Sequence, residues 1–220
     1  MRTVSIDIVS DVVCPWCYLG KARLEQAIAM TAGQADVSIT WRPYRLNPDI
    51  PAEGIDHQAW LASKFGGKES VDRAHAQIAQ YGKEAGIEYD FDAIKVGPNT
   101  LDAHRLLHWA LQHGRDVQNK AADLLFKANF SEGRNVGDHK VLIEIAREAG
   151  MDGNVIGKLL ASDADKDTIL GEIDAAQKMG VSGVPFFILD GKYAVSGAQM
   201  PETLAGAILQ LSNDEDREEV

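Results

Sequence analysis

The chain holds two cysteines, Cys14 and Cys17, and they stand together as Cys-Pro-Trp-Cys. The segment before them, Val4-Ser5-Ile6-Asp7-Ile8-Val9, alternates apolar and polar residues as a half-buried strand does. After them, Leu19, Ala22, Leu24, Ala27 and Ile28 recur with helical spacing up to about Met30, and Gly33 suits a helix end. Val37-Ser38-Ile39-Thr40-Trp41-Arg42-Pro43-Tyr44 then returns to β-rich alternation, which Pro43 confines to a sheet edge or a strand end. The spacing predicts a βαβ unit with a cysteine pair at the N-terminus of its helix.

That placement narrows the chemistry. A disulfide spanning two residues closes too small a loop to staple a domain. Structural zinc takes four ligands, and neither a second cysteine pair nor a compact histidine cluster accompanies this one. His104 and His108 share a helix face, and such a pair without a third ligand reads as surface or groove polarity, so no metal is expected. Thiol–disulfide exchange fits. At the helix start, unpaired backbone N–H groups and the positive dipole end favour a thiolate at Cys14. Cys17, one turn on, can attack a mixed disulfide formed there. Pro15 suits the first helical turn, and Trp16 offers an apolar face to a substrate or to the helices that follow. Two ordinary buried cysteines beside a turn are the competing account, and the helix placement outweighs it.

The remaining pattern is mostly helical. Pro48, Pro51 and Gly54 mark a crossover loop, and helices are expected near residues 70–85, 101–112, 117–129, 140–149 and 155–160. Another begins within 163–167 and ends near Met179. No strand pattern interrupts about 110 residues from Gly54 onward. Phe186-Phe187-Ile188-Leu189 is then a short strand, Asp190-Gly191 a hairpin turn, and Tyr193-Ala194-Val195 the partner strand, before a last helix opening at Met200-Pro201-Glu202. The expected fold is α/β, with residues 1–53 and 161–220 building one mixed sheet and its helices. Residues 54–160 form a helical insertion that caps part of the cleft at the cysteines. Val184-Pro185, after a helix and before the hairpin, is expected to be a cis peptide whose preceding backbone pairs with an extended substrate. Asn99 and Thr100 are natural N-caps, and Asn99 and His104 are candidates for lining the cleft. Trp41, Tyr44, Trp60, Phe65, Trp109, Phe126 and Phe130 are expected in the core.

Charge excludes other classes. With 33 acidic residues against 22 basic ones the formal net charge is −11, which repels nucleic acid, and part of it lies in an acidic, solvated run at 214–219. No apolar run approaches the roughly 18 residues a membrane span needs. No uninterrupted apolar core with a small-residue cleavage site stands near the start, so a cytoplasmic protein is expected. Glycine-rich nucleotide-binding patterns are absent as well, and no cofactor is expected, although glutathione fits as a redox partner.

Three segments together carry a resemblance: Asp11-Val12-Val13-Cys14-Pro15-Trp16-Cys17-Tyr18-Leu19-Gly20, Gly180-Val181-Ser182-Gly183-Val184-Pro185-Phe186-Phe187, and Ser196-Gly197-Ala198-Gln199. The chain resembles the DsbA-like thioredoxin-fold family, and more narrowly its FrnE-type branch of dithiol–disulfide oxidoreductases and isomerases. Trp41-Arg42-Pro43-Tyr44-Arg45-Leu46-Asn47-Pro48 and Asn99-Thr100-Leu101-Asp102-Ala103-His104-Arg105 extend the match. The resemblance implies Cys14 as nucleophile, Cys17 as resolving thiol, a cis bond before Pro185, and protein or small-molecule thiols and disulfides as partners. Two positions depart from the family. Trp16 stands where DsbA carries His, and Ile8 stands where thioredoxin-like proteins carry a buried acid, so the resolving step lacks its usual proton carrier. Without that His the pair is expected to oxidise dithiols more readily than thioredoxin and less readily than DsbA. Kappa-class glutathione transferases and 2-hydroxychromene-2-carboxylate isomerases share the fold family, but typically carry Ser at the position of Cys14. A glutathione-dependent transferase or isomerase is the alternative.

Overall fold

A computed structural model describes residues 2–213, so the acidic run at 214–219 lies outside the described residues. Strand β1 (Thr3–Ser10) buries every second residue, Val4, Ile6 and Ile8, as its alternation demands. It pairs in parallel with β2 (Asp36–Pro43) after the intervening helix α1 (Pro15–Met30). On its other side it pairs antiparallel with β5 (Phe186–Leu189), which continues into β6 (Tyr193–Ser196), giving the sheet order β2-β1-β5-β6. Asp190 and Gly191 take the positive φ values, 50° and 67°, that the hairpin turn needs.

Helices cover both faces of this sheet. Ile6, Ile8 and Phe187 face Leu19, Leu24 and Ala27 of α1 and Leu204 and Ile208 of α9 (Pro201–Asn213). Val9, pointing the other way, packs with Tyr44, Val181 and Ala176, the last from α8 (Lys166–Lys178). Between β2 and α8 lie α2 (His57–Lys64), α3 (Lys68–Glu84), α4 (Leu101–Gln112), α5 (Arg115–Phe130), α6 (His139–Ala149) and α7 (Gly153–Leu160). This is the α/β thioredoxin-like core with a large helical insertion that the pattern anticipates.

Two devices seat the insertion on the core. Pro43 ends β2 at the sheet edge, and the fully buried Gln118 of α5 completes that edge. Its Oε1 accepts from the Trp41 N–H at 2.9 Å, and its Nε2 donates to the Trp41 carbonyl at 3.0 Å. Arg105, wholly buried in α4, donates to the carbonyls of Leu159, Ser162 and Ala164 and pairs with Asp102 at 2.7 Å. Its guanidinium satisfies the carbonyls at the end of α7. That is a structural task.

The insertion also departs from the expected run of helices. Ile55–Asp56 and Val96–Gly97 form a small antiparallel pair, β3 and β4. Two residues show no periodicity from which a strand can be read. Helix α2 was not anticipated either, because none of its residues is buried and no apolar stripe marks it. Its N-cap was legible: the Asp56 side chain accepts from the Ala59 N–H at 2.8 Å.

Candidate functional site

Strand β1 runs out into the short loop before α1, and Cys14 is the residue that caps α1. Its backbone is extended (φ −92°, ψ 113°), its side chain makes no capping bond, and Pro15 fills the first turn. The Cys14 carbonyl accepts from the N–H groups of Cys17 at 3.0 Å and Tyr18 at 3.3 Å. The Cys14 side chain therefore lies against the unsatisfied start of the helix. The Val184–Pro185 peptide is cis, and the Cys14 Sγ lies 3.7 Å from the Val184 carbonyl oxygen. Gly20, one turn beyond the motif, makes that approach possible. A Cβ there would sit 2.9 Å from Pro185 Cγ and 3.2 Å from Phe187 Cζ.

Both cysteines are buried, Cys14 at 4% and Cys17 at 1% exposure, but Cys14 lines the pocket in front of the pair and Cys17 does not. Burial pushes the Cys17 thiol well up, and the hydrogen bond and charge of the Cys14 sulfur push the same way. The Ser10 hydroxyl and the Asp11 backbone pull it down by less. Cys17 thus remains a thiol while Cys14 holds the position nearest the helix dipole.

Behind the pair lies a buried polar layer. Asp11, 1% exposed, accepts the Leu46 N–H through Oδ2 at 2.8 Å. Its Oδ1 stands 3.4 Å from Nε2 of His104, which is 2% exposed, and neither atom has a hydrogen-bond partner. Asn99 Oδ1 accepts from Arg45 at 3.1 Å and from the Leu101 N–H at 3.1 Å, while its Nδ2 donates to the Ile50 carbonyl at 2.6 Å. Asn99 therefore ties the loop after β2 to the start of α4, and Thr100, at the N-cap position, makes no side-chain cap bond. The two histidines of α4 part company: His108 lies 3.6 Å from Glu172.

In front of the pair is a pocket of about 480 Å³. Val13, Cys14, Pro15 and Trp16 form one wall, and α2, α3 and the Phe91 region form the other. Trp16, 41% exposed, leans on Tyr81 of α3 with ring centroids 6.1 Å apart. The insertion thus covers the cleft with α2 and α3, while α4 to α7 pack against one another. Neither Asn99 nor His104 lines this pocket; Asn99 holds the loop after β2, and His104 is buried beside Asp11. Trp60 and Phe65, expected in the core, instead stand at the pocket, the latter 55% exposed. The other five aromatics are buried as anticipated.

Sequence patterns gave no notice of three residues here. Tyr89 donates its hydroxyl to the Pro15 carbonyl at 2.7 Å and so pins the motif from the insertion side. Burial pushes its phenol far up, with the charge of Cys14, Tyr18 and Cys17 adding to it. In the sequence Asp11 shows only as the polar residue that opens the segment leading into Cys14. His57 lines the pocket, and burial, then the charge of His75, lowers its imidazole to about 4.

Among the described residues no helix is long and apolar enough to cross a membrane, and no cluster of three or more His, Cys, Asp or Glu is placed to hold a metal. The sequence matches the DSBA-like thioredoxin domain over residues 5–209. A probable DsbA oxidoreductase of Streptomyces coelicolor is 31% identical, with a TM-score of 0.87 over 99% of this chain and 93% of that one. The uncharacterized protein YwbO of Bacillus subtilis is 28% identical over 207 residues, covering 94% and 96% of the two chains. A 2-hydroxychromene-2-carboxylate isomerase shares the fold at a TM-score of 0.70 and 19% identity, over 94% and 95%. With its cysteine pair at the start of α1 against the Val184 carbonyl, the chain belongs to the DsbA-like thioredoxin domain family and is an enzyme of thiol–disulfide redox chemistry.

Proposed function

We propose that the protein exchanges disulfides through a mixed disulfide at Cys14, which Cys17 resolves. The observation that carries this is the division of the pair: Cys14 caps α1 and lines the pocket, and Cys17 is sealed behind it. The Cys14 thiolate attacks one sulfur of a substrate disulfide, and the substrate S–S bond breaks as the Cys14–substrate bond forms. The leaving thiolate takes a proton from solvent. Cys17 then loses its proton and attacks the Cys14 sulfur, releasing the second substrate thiolate and leaving the Cys14–Cys17 disulfide. Run backward, the same steps oxidise a dithiol.

Pro15 and Trp16 shape the mouth of the site, and the Val184 backbone beside Pro185 pairs with an extended substrate. Asn99 positions the loop after β2, and His104 lies beside Asp11 of the loop that leads into the cysteines. The FrnE-type branch and a cytoplasmic location complete this reading, with protein or small-molecule thiols and disulfides as partners. Glutathione-dependent transfer or isomerisation is disfavoured by the cysteine at position 14, where those enzymes typically carry Ser.

The test is trapping. Cys17→Ser should accumulate mixed disulfides with insulin or small disulfides, while Cys14→Ser should accumulate almost none. Equal trapping by the two variants, or insulin reduction that survives Cys14→Ser, would refute the assignment.

A further inference from the structure

The pocket beside Cys14 differs in character from the surface around it. Its volume of about 480 Å³ lies in the range of small-ligand sites, roughly 300–1,000 Å³. Trp60, Phe65, Val71, Ile78 and Phe91 give it apolar walls. The chain carries 33 acidic residues against 22 basic ones, yet none of the residues lining this pocket is Asp or Glu. Lys64 is its one lysine or arginine. That ammonium is held in place: Nζ lies 4.6 Å from the Trp60 ring centroid and 5.9 Å from that of Phe65, and donates to Asn47 Oδ1 at 2.6 Å. The two imidazoles of the lining, His57 and His75, are held neutral by burial.

We propose that this pocket binds a small thiol or disulfide with an aromatic or otherwise apolar body and one anionic group, the body against Trp60 and Ile78 and the anion at Lys64. The inference rests on Cys14 as the attacking thiol and names the substrate class of that site. Two features favour this class over a zwitterionic peptide thiol such as glutathione. An ammonium group would find no carboxylate in the lining, and a second carboxylate would find no second cation. Apolar walls match an aromatic ring, whose burial supplies affinity without any charge partner. The bound ligand places its sulfur at the Cys14 wall, and exchange follows the steps given above.

The probes are four disulfides reacted with reduced Cys17→Ser protein. They are 5,5′-dithiobis(2-nitrobenzoate), aromatic with one carboxylate on each half, so that the half docked at Lys64 carries a single anion and the other half leaves as the free thiolate; 4,4′-dithiodipyridine, a neutral aromatic; cystamine, aliphatic with one ammonium on each half; and bis(2-hydroxyethyl) disulfide, a neutral aliphatic. Each rate is divided by that of an unstructured peptide carrying Cys-Pro-Trp-Ser, which removes intrinsic reactivity. The normalised rate should be highest for the aromatic anion, about tenfold above cystamine. The net charge of −11 by itself predicts the reverse order. Lys64→Gln should lower the ratio of the anionic to the neutral aromatic probe about threefold or more. Ala74→Trp, which narrows the pocket from α3, should lower both aromatic probes relative to the hydroxyethyl disulfide. Cystamine matching the aromatic anion, or Lys64→Gln leaving the anionic ratio unchanged, overturns the pocket proposal while the exchange mechanism stands. Failure of Cys14 to react with any probe overturns both.

Discussion

Helices α4 and α3 flank the same cysteine pair and are built in opposite ways. The 12-residue α4 buries seven residues, including His104 and Arg105, whereas the 17-residue α3 buries only Val71, Ile78 and Gly82. Neighbouring α2 buries none. Behind the pair, Asp11 after β1, Asn99 before α4 and Gln118 of α5 fix β2 and the loop that follows it in one arrangement. In front, half-buried helices contribute apolar walls with few cross-links. The contrast separates two tasks. A rigid back holds the thiols at the helix start, and a lightly anchored front receives the substrate.

Substitutions on the two sides should therefore have unequal costs, and the largest belongs to the back. Asp11→Ala removes the acceptor of the Leu46 N–H and leaves His104 facing a void, so a loss of about 2–4 kcal/mol is expected in urea unfolding. A loss below about 1 kcal/mol would mean that the polar layer is not what holds the loop.

The next effect is a pH dependence on the front side. Burial lowers His57 from its ordinary 6.5 to about 4, His75 adding repulsion and Asp56 a smaller attraction. Between those two values the unfolded chain takes up a proton that the folded chain refuses. The unfolded state binds more protons, so stability present above about pH 6.5 is lost as the pH falls towards 4. Allowing for partial exposure, the loss is about 1–2 kcal/mol, and His57→Gln should flatten it. A profile identical in wild type and variant would remove His57 from the account.

The smallest stability change belongs to the pocket wall. Trp60→Ala should cost less than about 1 kcal/mol, since Trp60 is only half-buried, yet it should weaken discrimination among small disulfides. A loss comparable to that of a buried core aromatic, about 3–5 kcal/mol, would erase the difference between the two sides.

The same contrast explains what the sequence discloses. The cysteine motif, the strand alternation of β1, the Asp190-Gly191 turn and the Val184-Pro185 junction are local patterns, and each appears where its pattern lies. Pro43 at the sheet edge follows from its missing N–H. Contacts between distant segments leave no such trace. The Tyr89–Pro15 hydrogen bond joins residues 74 apart, and nothing near either one announces it. Asn99 and His104 were legible as polar residues at the start of α4, but which side of the cysteine loop they serve depends on how α4 packs. Trp60 and Phe65 look like core residues by composition. Only the folded arrangement, with α2 held away from the sheet, turns them into a pocket wall.

The central claim is that one thiol faces the substrate and the other is sealed behind it. Alkylation of the reduced protein by iodoacetamide, followed site by site by mass spectrometry, measures this directly. The account predicts that Cys14 is modified first and essentially alone under native conditions, with Cys17 reacting only after denaturant is added. Cys17 modified in the folded protein at a rate equal to that of Cys14 would contradict it.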